Sequence, residues 1–150
     1  MDKNAINTIE MLIVICKDAA VRFELAASAV HSSILQALFR GYSLQRSRFA
    51  RDLDAAASAL GTSIPAEDFE ANEAGHLNES RAAGEKNEQA VLSECEREED
   101  AAIATYLMAL EEAELPTAIR TMISSQAADV KSAHKEIRDF RTRFVPATET

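Results

Sequence analysis

The amino-acid sequence predicts an all-α domain, a bundle of four long amphipathic helices, on three observations. Glycine and proline are scarce, 4 and 3 of 150 residues, and aromatics make up 5%, while Ala, Leu, Glu and Arg are abundant; this is the usage of long helices rather than of turn-rich sheets. Apolar and small residues recur in alternating steps of three and four along four stretches, which keeps one stripe of each helix facing a partner. The length is that of one domain, so residues 1–150 are read as a single unit that buries a continuous core without disulfides or metals.

The first helix is expected over about residues 4–31, on the stripe Ile6, Ile9, Ile13, Cys16, Ala20, Phe23, Ala27 and Val30. The second, about 33–60, carries Leu35, Leu38, Tyr42, Gln45, Phe49, Asp52, Ala56 and Ala59, with Leu53 and Leu60 widening the face and Gly61 as its stop. The third, about 87–114, follows the cap Asn87 along Leu92, Cys95, Glu99, Ala102, Tyr106, Ala109 and Ala113, and Pro116 ends it. The fourth, about 116–144, runs Ile119, Ile123, Gln126, Val130, Ala133, Ile137, Phe140 and Phe144 before Pro146 and a polar tail expected to be disordered. A three-four rhythm averages about 3.5 residues and sets a left-handed bundle with crossings of about 20°.

Connection lengths set the topology. Helices one and two, and helices three and four, are joined by a few residues each, so each pair is an antiparallel hairpin. Residues 61–86, with Gly61, Pro65, Gly75 and Gly84 and no sustained stripe, are long enough to traverse the bundle. A length-spanning crossover leaves helices two and three parallel, the connectivity of ferritin-like bundles rather than of simple up-down-up-down ones.

Charge and cysteine content narrow the function. Of the net charge of −9, residues 67–100 account for the whole, with 12 acids against 3 bases. Basic residues gather in the second helix (Arg40, Arg46, Arg48, Arg51) and near the C-terminus, and are read as solvated faces, since a pI near 4.8 opposes attraction to nucleic acid. The apolar run Met11 to Cys16 is too short for a secretory core or a membrane span, and Cys16 and Cys95 form no C-x-x-C pair, so a reducing, cytoplasmic setting is expected. Both cysteines fall on stripes and are read as small buried hydrophobes. The partner reading allows a homo-oligomer and expects neither nucleic acid nor membrane. His31 and His76 fall at a hairpin and in the crossover and are expected in solvent, and Gly41 is read as permitting close packing at a cost of about 1 kcal/mol in helix two. There is no phosphate loop, nucleophile elbow or metal-spaced Cys/His cluster, and no catalytic residue is assigned.

The informative feature is a polar layer on the core stripes. Gln45, Glu99 and Gln126 occupy stripe positions, and a carboxylate in a dry core needs a cation, a proton or a metal, because uncompensated burial costs several kcal/mol. Counting along parallel helices two and three puts Gln45 and Glu99 at one level, and counting across the hairpins brings Glu24, Asp129 and His134 to it. Tyr42 and Tyr106 flank the layer as hydrogen-bond donors. Carboxylate-bridged metal bundles put a Glu from each of two helices, and a Glu-x-x-His from each of the others, at such a level. Here the corresponding i, i+3 pairs are Gln45 with Arg48 and Gln126 with Asp129, and a guanidinium does not deprotonate to bind a metal, so a complete di-iron site is not expected. Two readings follow. In the first, Arg48 neutralises Glu99 and Gln45 and Gln126 close a structural network that fixes helix register. In the second, Glu24, Glu99, Asp129 and His134 hold a single divalent ion, and the protein binds or oxidises a metal such as iron. The cofactor expectation is accordingly none or one divalent metal ion.

The segments LQRSRFARDL (Leu44 to Leu53) and CEREEDAAIATYLMAL (Cys95 to Leu110), the pair Leu115–Pro116, and Gln126, Val130, Lys131 and His134 within QAADVKSAHKEIRDFR together resemble a bacterial ferritin-like family of unknown function. The resemblance spans nearly the whole chain and weakens over residues 66–88. It implies a ferritin-like fold, bacterial origin and no established reaction, and the matching Gln45 and Arg48 imply that loss of Glu-x-x-His ligands is a feature of the family.

Overall fold

The computed structural model describes residues 2–61 and 88–143, which form four helices: α1 (Lys3–Ala29), α2 (Ser33–Ala59), α3 (Glu88–Leu110) and α4 (Thr117–Arg143). The expected four-helix bundle is what the chain forms. Each start has a local cause. The Asp2 carboxylate caps α1 by accepting from the Asn4 backbone N–H at 2.9 Å, and the Ser32 hydroxyl caps α2 from Leu35 N–H at 3.2 Å. α2 stops at Gly61, whose φ of 84° belongs to the left-handed region that glycine enters without penalty. α3 ends at Leu110, short of the expected 114, because Arg120 from α4 donates to the carbonyls of Leu110 and Glu112, taking the place of a further helical turn.

Contacts between elements settle the topology. Arg22 lies beside Glu98 and Cys16 beside Tyr106, so α1 and α3 run antiparallel. Ser43 Oγ donates to the Ala20 carbonyl at 2.7 Å across the antiparallel α1–α2 hairpin. α2 is therefore parallel to α3, as the connection lengths predict; the path of the crossover, and of the tail, lies outside the described residues. α1 neighbours α2 and α3, and α4 neighbours α3 and α2, leaving α2 and α3 on a diagonal. The Glu88 carboxylate adds a clamp between the hairpins, accepting from the backbone N–H groups of His31 at 2.7 Å and Ser32 at 3.0 Å.

The core is divided into two apolar bodies. One, at the start of α1, is built around Ile9, Leu12, Ile13, Phe49, Leu53, Ile119 and Ile123; the other, at the α1–α2 turn, around Phe23, Phe39, Leu35, Leu92 and Ile137. On every helix the division falls at mid-length: between Cys16 and Ala19, between Tyr42 and Phe49, between Cys95 and Ala102, and between Val130 and Ala133. Small side chains at Ala19, Ala20, Ala102 and Ala133 leave room there for larger polar ones.

The buried face of α2 differs from the expected stripe. It is Leu35, Phe39, Tyr42, Ser43, Arg46, Phe49, Ala50, Leu53 and Ala57, whereas Asp52 and Ala59 are exposed. Gly41 is exposed as well, and a Cβ added there would meet nothing within 4 Å, so it does not serve close packing. No helix among the described residues is long and apolar enough to cross a membrane.

Candidate functional site

The division between the two apolar bodies is filled by a polar layer whose centre is an ion pair. Arg46 on α2 is 1% exposed and Glu99 on α3 0%, and the guanidinium engages both carboxylate oxygens, Nη1 reaching Oε2 at 2.8 Å and Nη2 donating to Oε1. The third arm is also used, since Nε donates to Gln45 Oε1 at 3.1 Å. The guanidinium lies 5.4 Å from the Phe23 ring centroid, and Phe23 in turn stacks on Phe39 with centroids 6.0 Å apart and meets the Tyr42 ring at a tilt of 53° with centroids 5.2 Å apart. A fork held bidentately on one carboxylate with its remaining edge on an amide and an aromatic face is the geometry arginine supplies and lysine does not. Burial pulls the Arg46 pKa down, but the hydrogen bonds and charge of Glu99 outweigh it and the net direction is up.

A second set of groups lies on the α1–α3–α4 side. Tyr106 Oη donates to Gln126 Oε1 at 2.7 Å, and Gln126 Nε2 donates to the Phe49 carbonyl at 3.3 Å. Cys16 Sγ is 3.1 Å from Tyr106 Oη. The tyrosine proton is committed to an oxygen that only accepts, so the thiol donates to the tyrosine, and the chain Cys16, Tyr106, Gln126, Phe49 carbonyl has one direction throughout. Burial pushes the Cys16 thiol up to about 11, against weaker lowering by Tyr106 and Arg46. Tyr106 is pushed up by burial and then by the neighbouring thiol, Cys95 by burial, and Tyr42 by burial and its hydrogen bond to Glu136. All four groups stay protonated near neutrality, so the layer offers no ready nucleophile.

The residues singled out from the sequence divide between this layer and the surface. Glu99, Gln126 and the half-buried Gln45 belong to the layer. The partner of Glu99 is Arg46, not Arg48, which corrects the expected pairing: Arg48 is exposed, and Arg46, read as part of a solvated basic face, is among the most buried side chains. Glu24 is exposed with its carboxylate 4.0 Å from Arg40. Asp129 is exposed at the edge of α4, in a groove between α2 and α4. His134 Nε2 stands 2.7 Å from Asp100 and 3.9 Å from Glu96, a close approach outside hydrogen-bond geometry that leaves this nitrogen without a hydrogen-bond partner among the described residues. Glu96 also holds Arg141. Among the described residues, no group of three or more His, Cys, Asp or Glu is placed to hold a metal ion.

Tyr106 donates into the layer as expected, whereas Tyr42 turns to Glu136 on α4. Cys16 and Cys95 are buried free thiols, and His31 is exposed; His76 lies outside the described residues. Arg46 is the residue sequence reading missed. The signal for it was present: Leu35, Phe39, Tyr42, Phe49, Leu53 and Ala57 form an apolar stripe at least as good as the one chosen, and Arg46 is the charged residue on it.

A model of the family described as Domain of unknown function (DUF2383) matches residues 4–112, more than half of the chain and all of α1 to α3 but the first residue of α1, and the chain belongs to that family. No curated protein matches it.

Proposed function

We propose that this member of a family without an assigned activity is a non-enzymatic, ferritin-like bundle in which a self-neutralised polar layer occupies the level where carboxylate bundles hold two metal ions. The observation that carries the reading is the condition of Glu99, the most deeply buried carboxylate among the described residues, with both oxygens engaged by Arg46. A divalent ion at Glu99 would have to displace the guanidinium or bind beside it. At about 5 Å and an effective dielectric of about 20, the repulsion between a doubly charged ion and the guanidinium is roughly 7 kcal/mol, which weakens binding by more than about ten-thousandfold. The pair fixes the register of α2 against α3 across the diagonal, the role for which buried polar groups in bundles are best attested.

The alternative reading, a bundle that binds or oxidises a divalent metal through Glu24, Glu99, Asp129 and His134, would require these side chains to leave their separate surroundings and converge. One experiment distinguishes the two. The protein is expressed with iron and manganese supplied, bound metal per chain is measured, and oxygen consumption is followed on adding ferrous iron. The expected result is metal well below one ion per chain and no oxygen uptake above that of buffer. One or more tightly held ions per chain would overturn the proposal in favour of the alternative, and two irons with rapid oxygen uptake would make the protein an iron oxidase.

A further inference from the structure

The two hairpins are closely packed within themselves, but α2 and α4 make the sparsest contact of the neighbouring helix pairs. A groove of about 430 Å³ opens between them, within the size range of small-molecule sites. Its walls combine chemistries that rarely share one groove without satisfying each other. Phe49 and Met122 are apolar, and Ser125 brings a hydroxyl. Arg48 stands on α2, with Asp52 one turn further along and Asp129 on α4, and none of the three forms an ion pair with another described residue. Arg and Asp at i, i+4 lie on one helix face within reach of each other; here neither charge is taken up by another described residue.

The floor points the same way. Gln126 lines the groove although it is only 3% exposed, and of its two amide N–H donors one reaches the Phe49 carbonyl while the other has no acceptor among the described residues. A guanidinium takes a carboxylate bidentately, a pair of carboxylates takes an ammonium, and the spare amide proton takes a further carboxylate or carbonyl oxygen. The two aspartates oppose a phosphate or any second anionic group, and Arg48 opposes a divalent cation. We infer that the α2–α4 groove is a binding site for a small zwitterion of the α-amino-acid class with an apolar side chain, its carboxylate on Arg48 and Gln126, its ammonium on Asp52 and Asp129, and its side chain against Phe49 and Met122. This goes beyond the reading of the polar layer and stands whether or not that layer is purely structural.

The test uses the full chain and isothermal titration calorimetry. The twenty standard L-amino acids are titrated one by one, followed by N-acetyl-L-leucine, which lacks the ammonium, L-leucine methyl ester, which lacks the carboxylate, and inorganic phosphate. Saturable binding is expected for one or more apolar amino acids, with at least about a tenfold loss when either end is blocked and no binding of phosphate. Arg48→Gln and Asp129→Asn are each expected to weaken the best amino acid about tenfold, while circular dichroism melts stay unchanged because both side chains are exposed. Absence of saturable binding by every amino acid up to about 10 mM, binding indifferent to both substitutions, or preferential binding of phosphate would each overturn the inference.

Discussion

Replacing Arg46 by methionine keeps most of the side-chain volume and removes its charge, leaving the Glu99 carboxylate at 0% exposure with no cation. The Coulomb attraction lost at about 4 Å and an effective dielectric of about 20 is about 4 kcal/mol, in line with the roughly 3 to 5 kcal/mol seen when one partner of a buried pair is removed. In urea, with a slope of about 2 kcal/mol/M, that lowers the midpoint by about 2 M at unchanged slope. Glu99→Leu is expected to cost a similar amount, because it strands the guanidinium. The double variant Arg46→Met/Glu99→Leu joins the two apolar bodies into one continuous core and should equal the parent or exceed it, by up to about 4 kcal/mol. Arg48→Met, at an exposed site, should stay within about 0.5 kcal/mol. Far-UV circular dichroism during urea unfolding reads all four. The reasoning fails if Arg46→Met costs less than about 1 kcal/mol, or if the double variant is as unstable as the sum of the singles, since additivity means that the two side chains do not interact.

Other perturbations address the remaining parts of the layer and its supports. The Cys16 thiol rises from 9.0 to about 11 on folding, so it ionises more readily in the unfolded chain. Its contribution is intact below pH 9 and declines towards pH 11, by roughly 3 kcal/mol at most; Cys16→Ala should flatten the fall in stability over that window, and an unchanged slope would contradict the assignment. Tyr106→Phe strands the Cys16 thiol and Gln126 Oε1 together and should destabilise by about 1 to 3 kcal/mol in the same urea assay, whereas no change would mean that water replaces the hydroxyl. Glu88→Gln should lose about 1 kcal/mol and speed amide exchange at His31 and Ser32, the two N–H groups it holds; protection left as in the parent would remove the clamp from the account. Gly41→Ala should raise stability by about 1 kcal/mol, since the added methyl meets nothing within 4 Å, and a loss on thermal melting would refute the open surroundings assigned to it.

The architecture was legible because it depends on quantities a sequence carries directly: stripe length, stop signals and the length of connections. The stripes of α1, α3 and α4 survive nearly residue for residue, including the placement of Glu99 and Gln126 inside the core. Heights along the bundle also held, because a rise of about 1.5 Å per residue and short hairpins leave little freedom in which residues share a level. Helix ends were less legible. α3 stops early on account of Arg120, a residue of the next helix, and no property of residues 111–114 themselves announces that contact.

What was not legible was the rotation of α2 about its own axis, and the identity of the cation followed from it. Starting at Leu35 the chain offers two apolar continuations, Leu38 and Phe39, and each leads to a self-consistent stripe with the same average period. The first passes through Gln45 and Asp52; the second, which the fold adopts, passes through Arg46 and Leu53. Local propensity does not separate them, since the choice turns on whether a buried arginine finds a carboxylate on a helix 53 residues away. At about 100° per residue, Gln45, Arg48 and Asp52 all lie within about 100° of Phe49 on one flank. On α4, Asp129 sits about 60° from Gln126 by the same geometry. Arg48, Asp52 and Asp129, which the sequence pattern alone puts in the core or in a ligand set within it, therefore line the α2–α4 groove together with Gln126. Of the two i, i+3 pairs that resemble eroded metal ligands, Gln45 and Gln126 stay in the polar layer, while the charged members Arg48 and Asp129 face the open seam between α2 and α4 without pairing with another described residue.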